Sequence, residues 1–102
     1  MPVYVTLFKW TDSGVKNLKD APARMAEGRK TVEQFGGKVL GLYVLLGKYD
    51  FVSVTEWPND EAATTAALAI NSRGNVRTTT LRGFSEAEFA EIAKKLPEGP
   101  EI

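Results

Sequence analysis

The stretch Gly47-Lys48-Tyr49-Asp50 sets an aromatic hydroxyl beside a carboxylate at the corner between two apolar runs. An ordinary two-residue hairpin is satisfied by Asn-Gly or Asp-Gly. Here Gly47 permits a positive φ where the chain reverses, and Asp50 can accept backbone N–H groups and fix the corner. Three roles stay open for it. It could be a rigid hairpin that helps build an interface, a rim site where the Tyr49 hydroxyl and Asp50 carboxylate bind a polar ligand, or the seat of Asp50 as a base. Arg73, Arg77 and Arg82 could grip a carboxylate or phosphate. Arg73 and Arg77 read as surface charges, Arg82 as a buried one. Lys9 beside Trp10 reads as a solvated amine at a strand end. Glu56, Asp60 and Glu61 could hold a hard cation, although acids at a helix start also answer to the helix dipole. Gly36-Gly37 lacks a phosphate-loop fingerprint.

The residues that are missing narrow the chemistry further. The chain of 102 residues has no His and no Cys. Disulfides, thiolate zinc sites, Ser-His-Asp and Cys-His nucleophiles and an imidazole base are all excluded. Catalysis would fall to carboxylates, Lys, Tyr or a borrowed group. The sequence calls for no cofactor and no metal. Thirteen basic residues balance thirteen acidic ones, so the excess positive charge of a nucleic-acid binder is absent. The longest apolar run, Val39 to Leu46, is too short to span a bilayer. The start MPVYVTLF lacks a basic leader region and a cleavage site, so the expected location is the cytoplasm.

The elements that must position these residues follow from local signals. Val3 to Lys9 is rich in β-branched and aromatic residues and reads as a strand. Thr11, Asp12 and Ser13 open a helix, and Asp20-Ala21-Pro22 breaks and restarts it. Leu18, Ala21, Met25, Gly28, Val32 and Phe35 recur at spacings of three and four, which makes one helix face. Gly36-Gly37 stops that helix. Lys38 to Leu46 and Asp50 to Trp57 read as the second and third strands. Pro58-Asn59-Asp60 starts a helix running to about Ser72, with a small inner face of Ala63, Ala66, Ala67 and Ile70. Val76 to Gly83 is the fourth strand. Ser85 to Glu88 forms a capping box for a last helix, with Phe89, Ile92 and Leu96 expected inward, and residues from Pro97 onward form a flexible tail. The order β-α-β-β-α-β plus a terminal helix predicts one α+β domain over residues 1–96, of the ferredoxin-like, split βαβ type.

Alternation along the strands divides the side chains into two sets. Val3, Val5, Leu7, Leu40, Leu42, Val44, Val52, Val54, Thr79 and Leu81 suit the face covered by helices. The other set is Tyr4, Thr6, Phe8, Trp10, Tyr43, Phe51, Ser53, Thr55, Trp57, Thr78, Thr80 and Arg82. It holds most of the chain's aromatic residues together with hydroxyls and a guanidinium. As an open face it would be a large apolar patch; as a plain core it would strand its polar groups. Packing against a second copy across a two-fold axis resolves both difficulties, either as a dimer interface with paired polar groups or around a ligand cavity between sheets. Arg82, buried there, needs an acceptor: a partner-chain acid or carbonyl, or an anionic ligand.

The segments YVTLFKWT, LGKYD and GNVRTTTLRGFSEAEF resemble the GYD domain family over nearly the whole chain. The naming motif corresponds to Gly47, Tyr49 and Asp50, with Lys48 inserted. The resemblance implies a dimeric α/β barrel and supplies no chemistry. A weaker similarity links Gly47, Tyr49, Asp50, Gly74, Val76 and Thr78 to Thr80 with the effector-binding domain of leucine-responsive regulators. That likeness implies pairing by the sheets and small amino acids bound between subunits; the helix-turn-helix of those regulators is absent.

The sequence therefore predicts a homodimer or higher oligomer that acts as a small-molecule binding or sensing module. The expected ligand is a small anion or carboxylate, and neither nucleic acid nor membrane is a partner. The ligand-binding candidates are Tyr4, Thr6, Trp10, Tyr43, Tyr49, Asp50, Thr78, Thr80 and Arg82. The alternatives are a cofactor-free isomerase or oxygenase with its site between paired sheets, and a purely structural assembly subunit.

Overall fold

The computed structural model describes residues 1–99. Residues 100–102, the end of the expected tail, lie outside the described residues. Strand β1 spans Val3–Trp10 and is followed by the short helix α1, Asp12–Val15. The Thr11 side chain caps α1 by accepting from the Gly14 N–H. A 3₁₀ turn, Leu18–Asp20, leads into α2, Ala21–Gln34, with Pro22 in its first turn where the missing N–H costs nothing. Gly36 then takes a φ of 90°, which closes the helix. Strands β2, Lys38–Val44, and β3, Phe51–Glu56, flank the hairpin corner. Helix α3, Asp60–Ser72, begins at Asn59, whose side chain accepts from the Ala62 N–H at 2.8 Å. Strand β4 is Val76–Gly83, and α4, Glu86–Lys94, carries the expected Ser85–Glu88 capping box.

The strands form one antiparallel sheet in the order β2-β3-β1-β4. The central strands β1 and β3 are not consecutive in the chain, as the split βαβ arrangement requires. A register shift between Val39 and Gly41 kinks the edge strand β2.

The face that α2 and α3 cover is the reverse of the expectation. Tyr4, Phe8, Phe51, Ser53, Thr55, Trp57 and Val76 are buried under the helices. Tyr4 and Trp57 pack with Val32 and Ala66; Phe8 and Phe51 pack with Val76, Met25 and Ile70. The set read as an outer aromatic face is thus the core. The reason is volume. Helix α3 presents Ala63 and Ala66, and α2 presents Gly28, so the facing sheet must supply the bulk. Phe8 and Phe51 supply it as a stacked cross-strand pair, ring centroids 4.1 Å apart, an arrangement adding about 0.5–1.5 kcal/mol beyond area burial. The stranded-hydroxyl objection is met locally: the Thr55 hydroxyl accepts from the Trp57 indole N–H at 2.9 Å, and Thr78 from the Asn71 amide at 2.8 Å. Only β2 beyond its bulge has its sides as read, Leu42 toward the helices and Tyr43 away from them; ahead of the bulge Val39, not the expected Leu40, packs against the core.

A second correction concerns α4. None of its residues is buried, and Phe89, Ile92 and Leu96, expected inward, are exposed.

Candidate functional site

At the hairpin corner, Gly47 has a φ of 122°, a backbone state that side chains other than glycine rarely adopt. The Leu45 N–H donates to the Asp50 carbonyl at 2.8 Å and closes the loop. The Asp50 N–H donates to the Phe8 carbonyl at 2.8 Å, and the Trp10 N–H donates to Asp50 Oδ2 at 2.7 Å. The carboxylate therefore extends the β1–β3 ladder past the end of β3, taking the place of a strand carbonyl. Lys48 lies over the Tyr49 ring at 5.6 Å. This geometry is that of a structural clasp, with the carboxylate spent on backbone.

Between the sheet and α3 lies a cavity of about 320 Å³. Alanines of α3 face short hydroxyl side chains of the sheet, and small against small leaves space. Tyr4, Thr6, Thr78 and Thr80, chosen from the sequence, all line it, joined by Asn71, which the sequence reading missed. The Tyr4 Oη is buried without a hydrogen-bond partner, a state that costs about 1–3 kcal/mol. A neighbouring cavity of about 420 Å³ lies under α2, lined by Trp10, Phe8, Phe51, Met25 and Leu42, with Arg24, Arg29 and Arg73 among its walls. Its acid, Glu27, is ion-paired with Lys30 at 3.4 Å. Arg24 was also missed. The available signal was its place on the α2 stripe, three residues after Ala21 and four before Gly28.

The remaining candidates lie elsewhere. Arg82 sits opposite Tyr4, on the parity expected, but it is exposed at the edge strand rather than buried. Its guanidinium lies 4.5 Å from the Phe84 ring and 5.8 Å from the Tyr4 ring, and it donates to the Gly83 carbonyl. Exposed to solvent, this guanidinium lacks the burial on which the need for a partner acid or a ligand rests. Tyr43 is on the opposite side of the sheet, with its ring over Gly41. Among the described residues no cluster of three His, Cys, Asp or Glu could hold a metal, so Glu56, Asp60 and Glu61 do not converge.

The sheet's other side carries Val3, Val5, Leu7, Val52, Val54 and Leu81, aligned in register as Val5–Val54, Leu7–Val52 and Val5–Leu81. None of them joins either core cluster. Leu81 is 50% exposed and Tyr43 66%. The open face of this sheet is therefore aliphatic, not aromatic.

Residues 4–93 match the GYD domain. The chain belongs to the GYD domain family. A protein of Thermus thermophilus, named glutamine synthetase and cystathionine beta-lyase binding protein, is 37% identical over 90 residues, which cover 87% of this GYD chain and 95% of that protein. Among solved structures, the leucine response regulatory protein of Mycobacterium tuberculosis superposes with a TM-score of 0.61 at 20% identity, over 82% of this chain and 51% of its own. The feast or famine regulatory protein of M. tuberculosis, complexed with L-methionine, gives a TM-score of 0.62 at 19% identity, over 83% and 51%. The GYD chain spans about half the length of these regulators and shares their α+β fold, the ferredoxin-like βαββαβ sheet with its terminal helix. Among the described residues no helix is long and apolar enough to cross a membrane.

Proposed function

We propose that this GYD protein is a protein-binding module that works as a sheet-paired oligomer. The observation that carries the reading is the aliphatic face of Val3, Val5, Leu7, Val52, Val54 and Leu81, which among the described residues no element packs into a core. Its occupant is a second copy. Two such faces interdigitate about 10 Å apart in sheet-on-sheet packing, and a formal net charge of zero leaves no long-range repulsion between copies. The exposed stripe of Phe84, Phe89, Ile92 and Leu96 around α4 is then left for other proteins. A relative named for binding two enzymes supports that part of the reading. Sedimentation velocity at tens of micromolar tests the pairing. The wild type should sediment as a dimer or larger, and Val54→Lys, at the centre of the face, as a folded monomer. A monomeric wild type would overturn it.

A second reading, small-molecule sensing, is favoured by the unpartnered Tyr4 Oη on the hydroxyl-walled cavity. Its site is Tyr4, Thr6, Thr78 and Thr80, inside one subunit rather than between paired sheets. Native mass spectrometry of freshly purified protein decides it by whether a small molecule travels with the chain.

A further inference from the structure

The cavity under α2 has a composition that the docking reading does not use. Its walls are the stacked Phe8 and Phe51, Trp10 tilted against Phe51 at 5.0 Å, and Met25, Leu42 and Ile70. At about 30 Å³ per water-sized group, 420 Å³ holds roughly a dozen heavy atoms, and cavities of this size are typical of small-ligand sites.

Three arginines join this apolar lining. The Arg24 guanidinium lies 5.4 Å from the Trp10 ring and donates to the Asn17 and Gly14 carbonyls, and its Nε is buried without a partner. Arg73, from the end of α3, donates to the Thr31 hydroxyl on α2 at 2.7 Å and so bridges the two helices. Arg29 completes the set. Among the described residues none of these arginines has a carboxylate partner, for the only ion pairs are Lys30–Glu27 and Lys94–Glu91.

Gly28 supplies an independent observation. It lies in the middle of α2 and lines this cavity, its φ is not positive, and a Cβ built on it would meet nothing within 4 Å. Neither backbone strain nor close packing asks for glycine there, although glycine costs a helix about 1 kcal/mol relative to alanine. Its one structural effect is to keep the space open.

We infer that the cavity under α2 binds a small amphipathic carboxylate, a medium-chain or aromatic acid, whose apolar body lies against Phe8, Phe51 and Leu42 and whose anionic group meets Arg73 and Arg24. The inference is independent of sheet pairing. It also stands apart from the hydroxyl-walled cavity of the second reading above, for it concerns a different cavity and names a chemical class.

The test is an NMR titration of the intact ¹⁵N-labelled protein with sodium octanoate and, separately, with 1-octanol. Octanoate should shift the Trp10 indole and the Arg24 and Arg73 signals, with 1-octanol binding at least about tenfold more weakly, the discrimination expected of a charge-assisted contact. Gly28→Leu should abolish octanoate binding while the melting temperature holds or rises. Arg73→Gln, which gives up the Arg73–Thr31 bridge at an otherwise exposed position, should erase the preference for octanoate over octanol, with the melting temperature measured alongside to show that the variant is folded. Should Gly28→Leu fail to fold, the Arg73→Gln result decides alone. Equal affinity for octanol and octanoate in the wild type overturns the carboxylate assignment, though a small molecule found by native mass spectrometry would still stand. Undiminished octanoate binding by a folded Gly28→Leu overturns the location.

Discussion

Replacing Asp50 with alanine removes the acceptor that holds the end of β1 to the hairpin corner. The bond it breaks is short, 2.7 Å from the Trp10 N–H to Oδ2, and Asp50 is only half-buried. A hydrogen bond to a charged acceptor contributes about 1.5–3 kcal/mol, and the partial exposure of this one places it in the lower half, about 1.5–2 kcal/mol. For a domain near this size each kcal/mol moves the melting temperature by roughly 4–8 °C, so Asp50→Ala should melt about 6–16 °C lower. Asp50→Asn keeps a neutral acceptor and should lose about half as much, since charge assistance roughly doubles such a bond. Thermal denaturation by circular dichroism gives the ranking. Amide exchange at Trp10 gives the location, because that N–H loses its partner while the rest of β1 keeps its ladder to β3 and β4. A rim carboxylate kept for a ligand behaves differently, because its removal spares the fold. If Asp50→Ala melts within about 2 °C of wild type and Trp10 exchange is unchanged, the clasp is refuted and the ligand role returns.

Gly14→Ala should destabilise by more than about 2 kcal/mol, because its Cβ would fall 2.1 Å from the Asn75 carbonyl oxygen; chemical denaturation measures the loss, and a neutral result would mean that α1 can move away from the turn at Asn75. Tyr4→Phe removes a buried hydroxyl with no partner and should hold or raise stability, by up to about 1–3 kcal/mol; a clear loss would reveal a partner for that hydroxyl. The Glu88 carboxyl is held below its ordinary value, chiefly by the Ser85 backbone N–H and further by the Ser85 hydroxyl and Arg82. A lowered carboxyl stabilises the folded form above its unfolded value and loses that contribution as pH falls through the lowered one. Helix α4 should accordingly fray on acidification below the ordinary glutamate range, read as carbon chemical shifts of Glu86 to Phe89, and Glu88→Gln should flatten that response.

Local chemistry determined most of the elements. The Ser85–Glu88 box, the glycines after α2, the asparagine cap before α3 and the β-branched run of β4 each satisfy backbone groups within a few residues, so each is legible without knowledge of the fold. The order of those elements fixed the ferredoxin-like topology for the same reason. Which side of the sheet the helices cover was not legible from the character of the strands, because both alternating sets are apolar enough to be core. Their hydroxyls pointed to the wrong side, since Thr55 and Thr78 find partners in Trp57 and Asn71 that only the folded chain brings within reach. The signal that did exist was volume: a helix offering Ala63 and Ala66 cannot fill an interior against valines, but it can against Phe8, Phe51 and Trp57. Likewise the capping signals announced α4 without telling where its apolar stripe would go, for a cap is satisfied locally and a stripe only by a neighbour. The cavity under α2 belongs wholly to tertiary structure. Along the chain Arg73 reads as a surface charge and Arg24 and Gly28 as members of the α2 stripe, and they line one cavity only when crossover connections lay both helices over the same stacked rings.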